Sequence, residues 1–489
     1  MRIRDARSSR MLAAVALLCM LVAGQTYVSA QDKASKIDEL MKAYSTTGQF
    51  NGTVLAAENG KVIYKKGFGL ANMEWNLPNE PDVKFRLGSI TKQFTAMLTL
   101  QLVEQGKLKL DGKITDYLPD YRKDVGERVT IHHLLTHTSG IPSYTSAPKF
   151  MEDVSRNPYA VSDFVKKYAS GDLEFEPGAK WSYNNSGYFL LGAIIERVTG
   201  KPYEQVLKEN ILDPVGMKNT GYDRHDTLIA KRANGYGKTP LGYRNAPYLD
   251  MSIPYAAGSM YSTVEDLYLW DQALYTDKLI SAKSRELMFT PTLQNYAYGW
   301  VVTKAPLAPS KEPVTIVTHG GGINGFNTLI VRLVNDKHLV VLLSNVNTPR
   351  LDEISRQIGS ILYNQPYTLP RRSIAERMLK TVIEKDVQAA IKQYRELKAA
   401  QPDAYDWREP ELNTLGYQLL GMRRIKDAIE ILKLNTEIYP QGFNTYDSLG
   451  EAYAHNGDKE LAIQNYKKSL ELNPDNASAT EALKKLNQK

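Results

Sequence analysis

The most constraining feature of this chain is where its strand signals fall. Two short β-rich runs, Phe50–Ala56 and Lys61–Lys65, flank Asn59-Gly60. That dipeptide suits a tight hairpin because both residues tolerate positive φ. Strand signals then return far downstream, at Gly299–Val302, Val314–Val317, Thr328–Val331 and Leu339–Leu343. Their short connections suit antiparallel pairing. Between the two groups lie a helical stretch from Ser89 to about Gly106 and a loop-rich span of roughly 106–250. That span holds apolar helical pieces such as Tyr188–Ile195, and a further helix follows over Asp266–Leu274. Strands and helices do not alternate regularly, which argues against a doubly wound nucleotide fold. The pattern predicts a mixed α/β (α+β) domain. Both ends of the segment build one antiparallel sheet flanked by helices, and the helical middle is inserted as a subdomain.

Beyond about residue 370 only helical signals remain, and they repeat. Leu415, Gly416, Ala428 and Pro440 recur 34 residues later as Leu449, Gly450, Ala462 and Pro474. The second copy, with Tyr446, Tyr453 and Tyr466 at set intervals, resembles the tetratricopeptide pattern. Such units bury a continuous core only when about three stack, so segments near 372–384 and 386–400 are expected to supply a degenerate first pair. Residues 372–489 are therefore read as an all-α tetratricopeptide-like domain. It either braces the preceding domain or offers a surface to a protein partner.

The first thirty residues stand apart. Arg2, Arg4, Arg7 and Arg10 precede an apolar run, Met11–Ala23, and Val28-Ser29-Ala30 offers a small-residue cleavage site. Residues 1–30 read as a secretory signal peptide cleaved after Ala30, with a run too short to span a bilayer. No later segment is apolar enough for a membrane span. The single cysteine, Cys19, lies inside that leader. The mature chain would then have neither a disulfide nor a cysteine nucleophile, which suits a secreted or periplasmic bacterial protein. The chain has 61 basic and 54 acidic residues, and the leader removes four arginines and Asp5. The small positive balance left forms no stripe or block of the kind nucleic-acid binding needs.

Three motifs carry candidate chemistry. Ser89-Ile90-Thr91-Lys92 puts a hydroxyl and an amine three residues apart at the start of a helix, hence on one face. A serine hydroxyl becomes a nucleophile when an adjacent base takes its proton. Tyr183-Asn184-Asn185 follows the Pro177-Gly178 turn and precedes the next helix. A tyrosine there can move protons if a cation such as Lys92 lowers its pKa from about 10. Asn185 can hold a substrate carbonyl and orient Lys92. Finally, Thr318-His319-Gly320-Gly321-Gly322 follows a strand, where glycines allow close backbone approach. The amides of Gly322 and Ser89 would make a two-donor oxyanion hole. His319 is expected to carry positive charge toward a substrate carboxylate or to hydrogen-bond Tyr183. His133 and His137 are four apart but lack the adjacent glutamate of a metal motif, so neither metal nor organic cofactor is expected.

The order Ser89/Lys92, Tyr183/Asn185, His319/Gly321 resembles the serine β-lactamase and penicillin-binding protein superfamily in its class C-like branch. Phe85-Arg86-Leu87-Gly88, the stretch His133–Ile141 and Pro214–Met217 add family-like context. The resemblance spans roughly residues 37–362 and implies a domain over 31–365. It implies a β-lactamase-like fold and an acyl-enzyme on Ser89, with Lys92 and Tyr183 shuttling the proton. Asn185, His319, Gly321 and Gly322 would handle substrate. The Ser-Asp-Asn and Lys-Thr-Gly motifs of class A are absent, and histidine replaces the lysine of true class C β-lactamases. The family comparison therefore favours a peptidase or amidase on D-amino-acid peptides. The alternatives are a carboxylesterase or weak β-lactamase, and a non-enzymatic penicillin sensor that signals through the repeats. The substrate is in each case a small molecule or peptide.

Overall fold

The computed structural model describes residues 31–239, 242–307, 312–347 and 350–487; the expected signal peptide 1–30, with Cys19, lies outside them. Outside residues 239–242, the chain divides between Leu369 and Pro370 into two compact units.

The first unit is built on a six-stranded antiparallel sheet. Its strands are β1 (Gly52–Glu58), β2 (Lys61–Phe68), β3 (Val301–Ala305), β4 (Val314–Ile323), β5 (Phe326–Leu333) and β6 (His338–Ser344), in the order β3-β4-β5-β6-β1-β2. The two ends of the segment meet where β1 pairs with β6, from Gly52 opposite Ser344 to Ala57 opposite Leu339. Asn59 and Gly60 take φ of 50° and 74°, turning β1 into β2 as that dipeptide allows.

Period-two alternation divides the sheet's side chains between two cores. Val54, Ala56, Val340 and Leu342 pack with helix α1 (residues 31–46) and with Leu351, Ile354 and Ile358. Leu55, Ala57, Val341 and Leu343 belong to the larger cluster of the helical region. Both faces are covered, so β6 is buried throughout and its Leu339–Leu343 reads as a continuous apolar run. The centre of the larger core is α2 (Thr91–Glu104), which is buried over nearly its whole circumference. Phe94 of this helix stacks on Trp270 with ring centres 4.3 Å apart. Beneath it, Arg332 of β5 pairs with Asp271 at 2.6 Å, both buried, and Arg332 lies over the rings of Tyr275, Phe289 and Trp300.

The inserted region contributes α3 (Asn185–Thr199) and α4 (Val264–Ala273), among shorter helices and long loops. The closing helix α5 (Leu351–Leu362) carries Ile354 and Ile358 to the outer core.

The second unit is helical, as its sequence predicts. Helix pairs are α6 (Ile374–Glu384) with α7 (Val387–Ala400), α8 (Glu409–Gly421) with α9 (Ile425–Ile438), and α10 (Phe443–Asn456) with α11 (Lys459–Leu472); α12 (Ala477–Asn487) follows. The first pair is the expected degenerate unit, and it shares one core with α8 and α9. The repeated glycines now have a cause. A Cβ on Gly416 would lie 2.6 Å from Leu432, and one on Gly450 would lie 3.0 Å from the ring of Tyr466. Each glycine lets the two helices of its pair close together at the same place in the repeat.

Candidate active site

Ser89 sits in a single helical turn, Gly88–Ile90, that runs directly into α2. The turn is held against β4 by glycines on both sides. Gly88 has a φ of 56°, and a Cβ there would come within 2.9 Å of the Gly322 backbone. A Cβ on Gly321 would lie 1.9 Å from the Leu87 carbonyl oxygen and 2.5 Å from Thr328 Oγ1. Thr328, opposite Gly321 on β5, donates its hydroxyl to that carbonyl at 2.7 Å. Strand β4 outruns β3, whose register ends at Val301 opposite Thr318. Residues 319–323 pair with β5 alone among the described strands, and Gly322 lines a cleft with Ser89.

Lys92 reaches the serine as the i, i+3 spacing requires, with Nζ 3.0 Å from Ser89 Oγ. The amine also meets Asn185 Oδ1 at 2.8 Å and the Ala257 carbonyl at 2.9 Å. Asn185 is the first residue of α3. Its amide nitrogen donates to Thr145 Oγ1 at 3.1 Å, which turns its oxygen toward Lys92. Asn184 caps the same helix, accepting from the Gly187 N–H at 2.7 Å. Lys92 is fully buried, and burial holds its pKa well below the ordinary lysine value. A neutral amine has two N–H bonds and one lone pair. In that form the two carbonyl-type oxygens take the N–H bonds, and the lone pair is left for the serine hydroxyl.

The Tyr183 ring lies 4.9 Å from Lys92 Nζ. The expectation that Lys92 lowers the pKa of this phenol is not met. Burial raises it well above the usual value, and the nearby Ser89 side chain lowers it only in part. Tyr183 is therefore a phenol that can pass a proton and not a standing anion.

His319 also departs from expectation. Its Nδ1–H donates to the Gly320 carbonyl at 2.6 Å, and its Nε2 accepts from the Tyr296 hydroxyl at 2.9 Å. Its ring centre is 6.3 Å from that of Tyr183, and the ring that hydrogen-bonds it is Tyr296. Burial first, then nearby Lys92, push its pKa down to about 4, so at neutral pH it carries no charge toward a carboxylate.

His137 completes an aromatic box. It lies 4.4 Å from Tyr183 and 4.5 Å from Tyr296, ring centre to ring centre, and takes a φ of 59°. Its Nδ1 accepts from the Asn184 N–H at 3.1 Å, while His133 Nδ1 accepts from the Thr130 N–H at 3.3 Å. Each histidine of that spaced pair thus serves a local backbone amide. Of the predicted residues, Ser89, Asn185 and Gly322 line one small cleft, and Lys92 meets Ser89 and Asn185 behind it. Sequence reasoning missed Thr328, Tyr296 and the Ala257 carbonyl. No motif marks a threonine in a strand or a lone tyrosine in a loop. The loops of residues 140–180 and 225–260 line the cleft through Tyr144, Phe150, Leu249 and Ile253.

A family model described as beta-lactamase matches residues 35–362. The chain belongs to this family. It is 34% identical over 372 residues to penicillin-binding protein 4* of Bacillus subtilis, covering 70% of this chain and 79% of that protein. Among solved structures it resembles a penicillin-binding protein from Bacillus halodurans, at 29% identity and a TM-score of 0.58, covering 65% of this chain and 97% of the other. It also resembles the D-amino acid amidase of Ochrobactrum anthropi SV3, at 25% identity and a TM-score of 0.58, covering 69% and 99%. A tetratricopeptide repeat model matches residues 448–476. These relatives place the chain among serine hydrolases of the β-lactamase and penicillin-binding protein superfamily. No helix of the described residues is long and apolar enough to cross a membrane.

Proposed function

We propose that this protein is an exported amidase or peptidase that cleaves amide bonds in D-amino-acid peptides through an acyl-enzyme on Ser89. The supporting observation is the triple coordination of Lys92: once deprotonated, it gives its two N–H bonds to Asn185 and the Ala257 carbonyl and turns its lone pair to Ser89 Oγ–H. Ser89 Oγ attacks the substrate carbonyl carbon while its proton passes to Lys92 Nζ. The amides of Ser89 and Gly322 receive the oxyanion, a contribution that elsewhere amounts to about 2.7–4 kcal/mol per donor. Tyr183, whose ring lies 4.9 Å from Lys92 Nζ, relays the proton from the amine to the departing nitrogen. The C–N bond breaks and the leaving amine departs. Water then enters, loses its proton along the same path reversed, and releases the acid.

The D-amino-acid part of the reading draws on the names of the relatives, a penicillin-binding protein and a D-amino acid amidase. Export rests on the leader at 1–30, and amino-terminal sequencing of the secreted protein should begin at Gln31. The repeats are proposed to bind a protein partner. The test of the chemistry is labelling by a fluorophosphonate, followed by D-peptide hydrolysis. The wild type should label once and turn over substrate, and Ser89→Ala should do neither. A label that survives Ser89→Ala overturns the assignment.

A further inference from the structure

The cleft beside Ser89 has a volume of about 150 Å3. Its side walls are Tyr144, Phe150, Leu249, Ile253, Pro254 and Ile323, and the polar groups among its lining are Ser89, Thr145, Asn185 and Asn324. Among the described residues, none that lines the cleft carries a formal charge. Two bases stand close behind the wall, and both are committed. Lys92 is held by Ser89, Asn185 and the Ala257 carbonyl. His319 uses Nδ1 on Gly320 and Nε2 on Tyr296, and is 6% exposed. The charged residues adjoining the lining in sequence are Lys149, beside Phe150, and Asp250, beside Leu249. Asp250 accepts from Ser252 and Tyr248. Lys149 is exposed, where a charge pair is screened and weak.

We infer that the cleft selects substrates that are uncharged on both sides of the scissile bond, with a group about the size of a phenyl ring next to the reacting carbonyl. This deepens the proposed amidase reading and rests on it. The reasoning is one of desolvation. A carboxylate carried into this cleft exchanges its water shell for walls with no cation to meet it, and a free α-ammonium finds no carboxylate there. A ligand charge left unpaired on binding weakens recognition by on the order of 100-fold. A volume of about 150 Å3 has room for a guest of benzene size. The substrate class is thus an N-acylated, apolar aminoacyl amide or ester, or an internal peptide bond. A peptide ending in a free carboxylate next to the cleaved bond is disfavoured, and so is an amide with a free amino terminus.

The test uses the purified full chain and matched pairs of compounds, each in D and L form. One pair is N-acetyl-phenylalanyl-alanine and its carboxamide. The other is phenylalanine amide and its N-acetyl derivative. Hydrolysis gives kcat/KM, and competition against fluorophosphonate labelling of Ser89 ranks the same compounds even where turnover is slow. The uncharged member of each pair should lead by about 100-fold in one measure or both. Ile323→Lys, which sets a cation on the cleft wall, should narrow the gap in the first pair and leave the second pair's order unchanged. Parity, or preference for the free carboxylate, with Ser89 labelling intact overturns the charge inference alone. Loss of labelling at Ser89 overturns the proposed function, and this inference with it.

Discussion

The contact between β4 and the Ser89 turn predicts opposite fates for two adjacent glycines. A Cβ at position 321 would lie 1.9 Å from the Leu87 carbonyl oxygen, whereas real Cβ atoms almost never approach closer than 3.0 Å. Gly321→Ala must therefore part the strand from the turn by about 1 Å, a misplacement that costs roughly 100-fold in rate when it falls on reacting groups. It also crowds Thr328 Oγ1, so the bond from that hydroxyl to Leu87 is lost. Overpacking of this kind costs about 1–3 kcal/mol of stability. A Cβ at position 322 meets nothing within 4 Å. Gly322→Ala should fold with an unchanged melting temperature, and any loss of rate should come from methyl bulk in the cleft. The assay is a thermal melt beside kcat/KM on an activated ester. If Gly321→Ala matches the wild type in both, or if Gly322→Ala melts as low as Gly321→Ala, the account of this contact is wrong.

Other outcomes follow from buried groups. Asp271→Asn leaves Arg332 charged and unpaired, so chemical denaturation should show a loss of about 3–5 kcal/mol; adding Arg332→Met should recover part of it. For His319, unfolded chains bind a proton below pH 6.5 while the folded site resists until about pH 4. The unfolded state therefore binds more protons in that window, so its contribution to stability is complete above pH 6.5 and falls away by pH 4. The span corresponds to roughly 3 kcal/mol, and denaturation midpoints for His319→Gln should fall less steeply with acid than those of the wild type. In the repeats, Gly416→Ala should lower the melting temperature because its Cβ meets Leu432, while Gly421→Ala, which meets nothing, should gain up to about 1 kcal/mol of helix propensity.

What could be read from the chain beforehand divides by range of interaction. The hairpin at Asn59-Gly60, the helix from Thr91 and the 34-residue repeat are encoded by neighbours in sequence, and each formed where local pattern put it. The approach of Lys92 to Ser89 belongs to the same class, since i, i+3 spacing on a helix fixes it. The convergence of Tyr183, Asn185 and the glycines of β4 on that serine depends on tertiary packing; motif order alone pointed to it. The ionisation states were not legible. Expectation gave Lys92 and His319 their solution charges, but both are buried among aromatic rings, Tyr183 and Tyr188 beside Lys92, Tyr183 and Tyr296 beside His319, and burial lowers both pKa values. Tyr296 shows the limit best. It hydrogen-bonds Nε2 of His319 from 23 residues away, and nothing near it in sequence distinguishes it from any other loop tyrosine.

The central claim is that an amine kept neutral by burial activates Ser89, and the pH dependence of the fluorophosphonate acylation rate tests it most directly. The claim predicts rapid labelling at neutral pH, with a single acid limb well below the ordinary lysine value of 10.5 that disappears in Lys92→Met along with most of the rate. A labelling rate that climbs only as pH approaches 10.5, or that is unchanged without the amine, would contradict it.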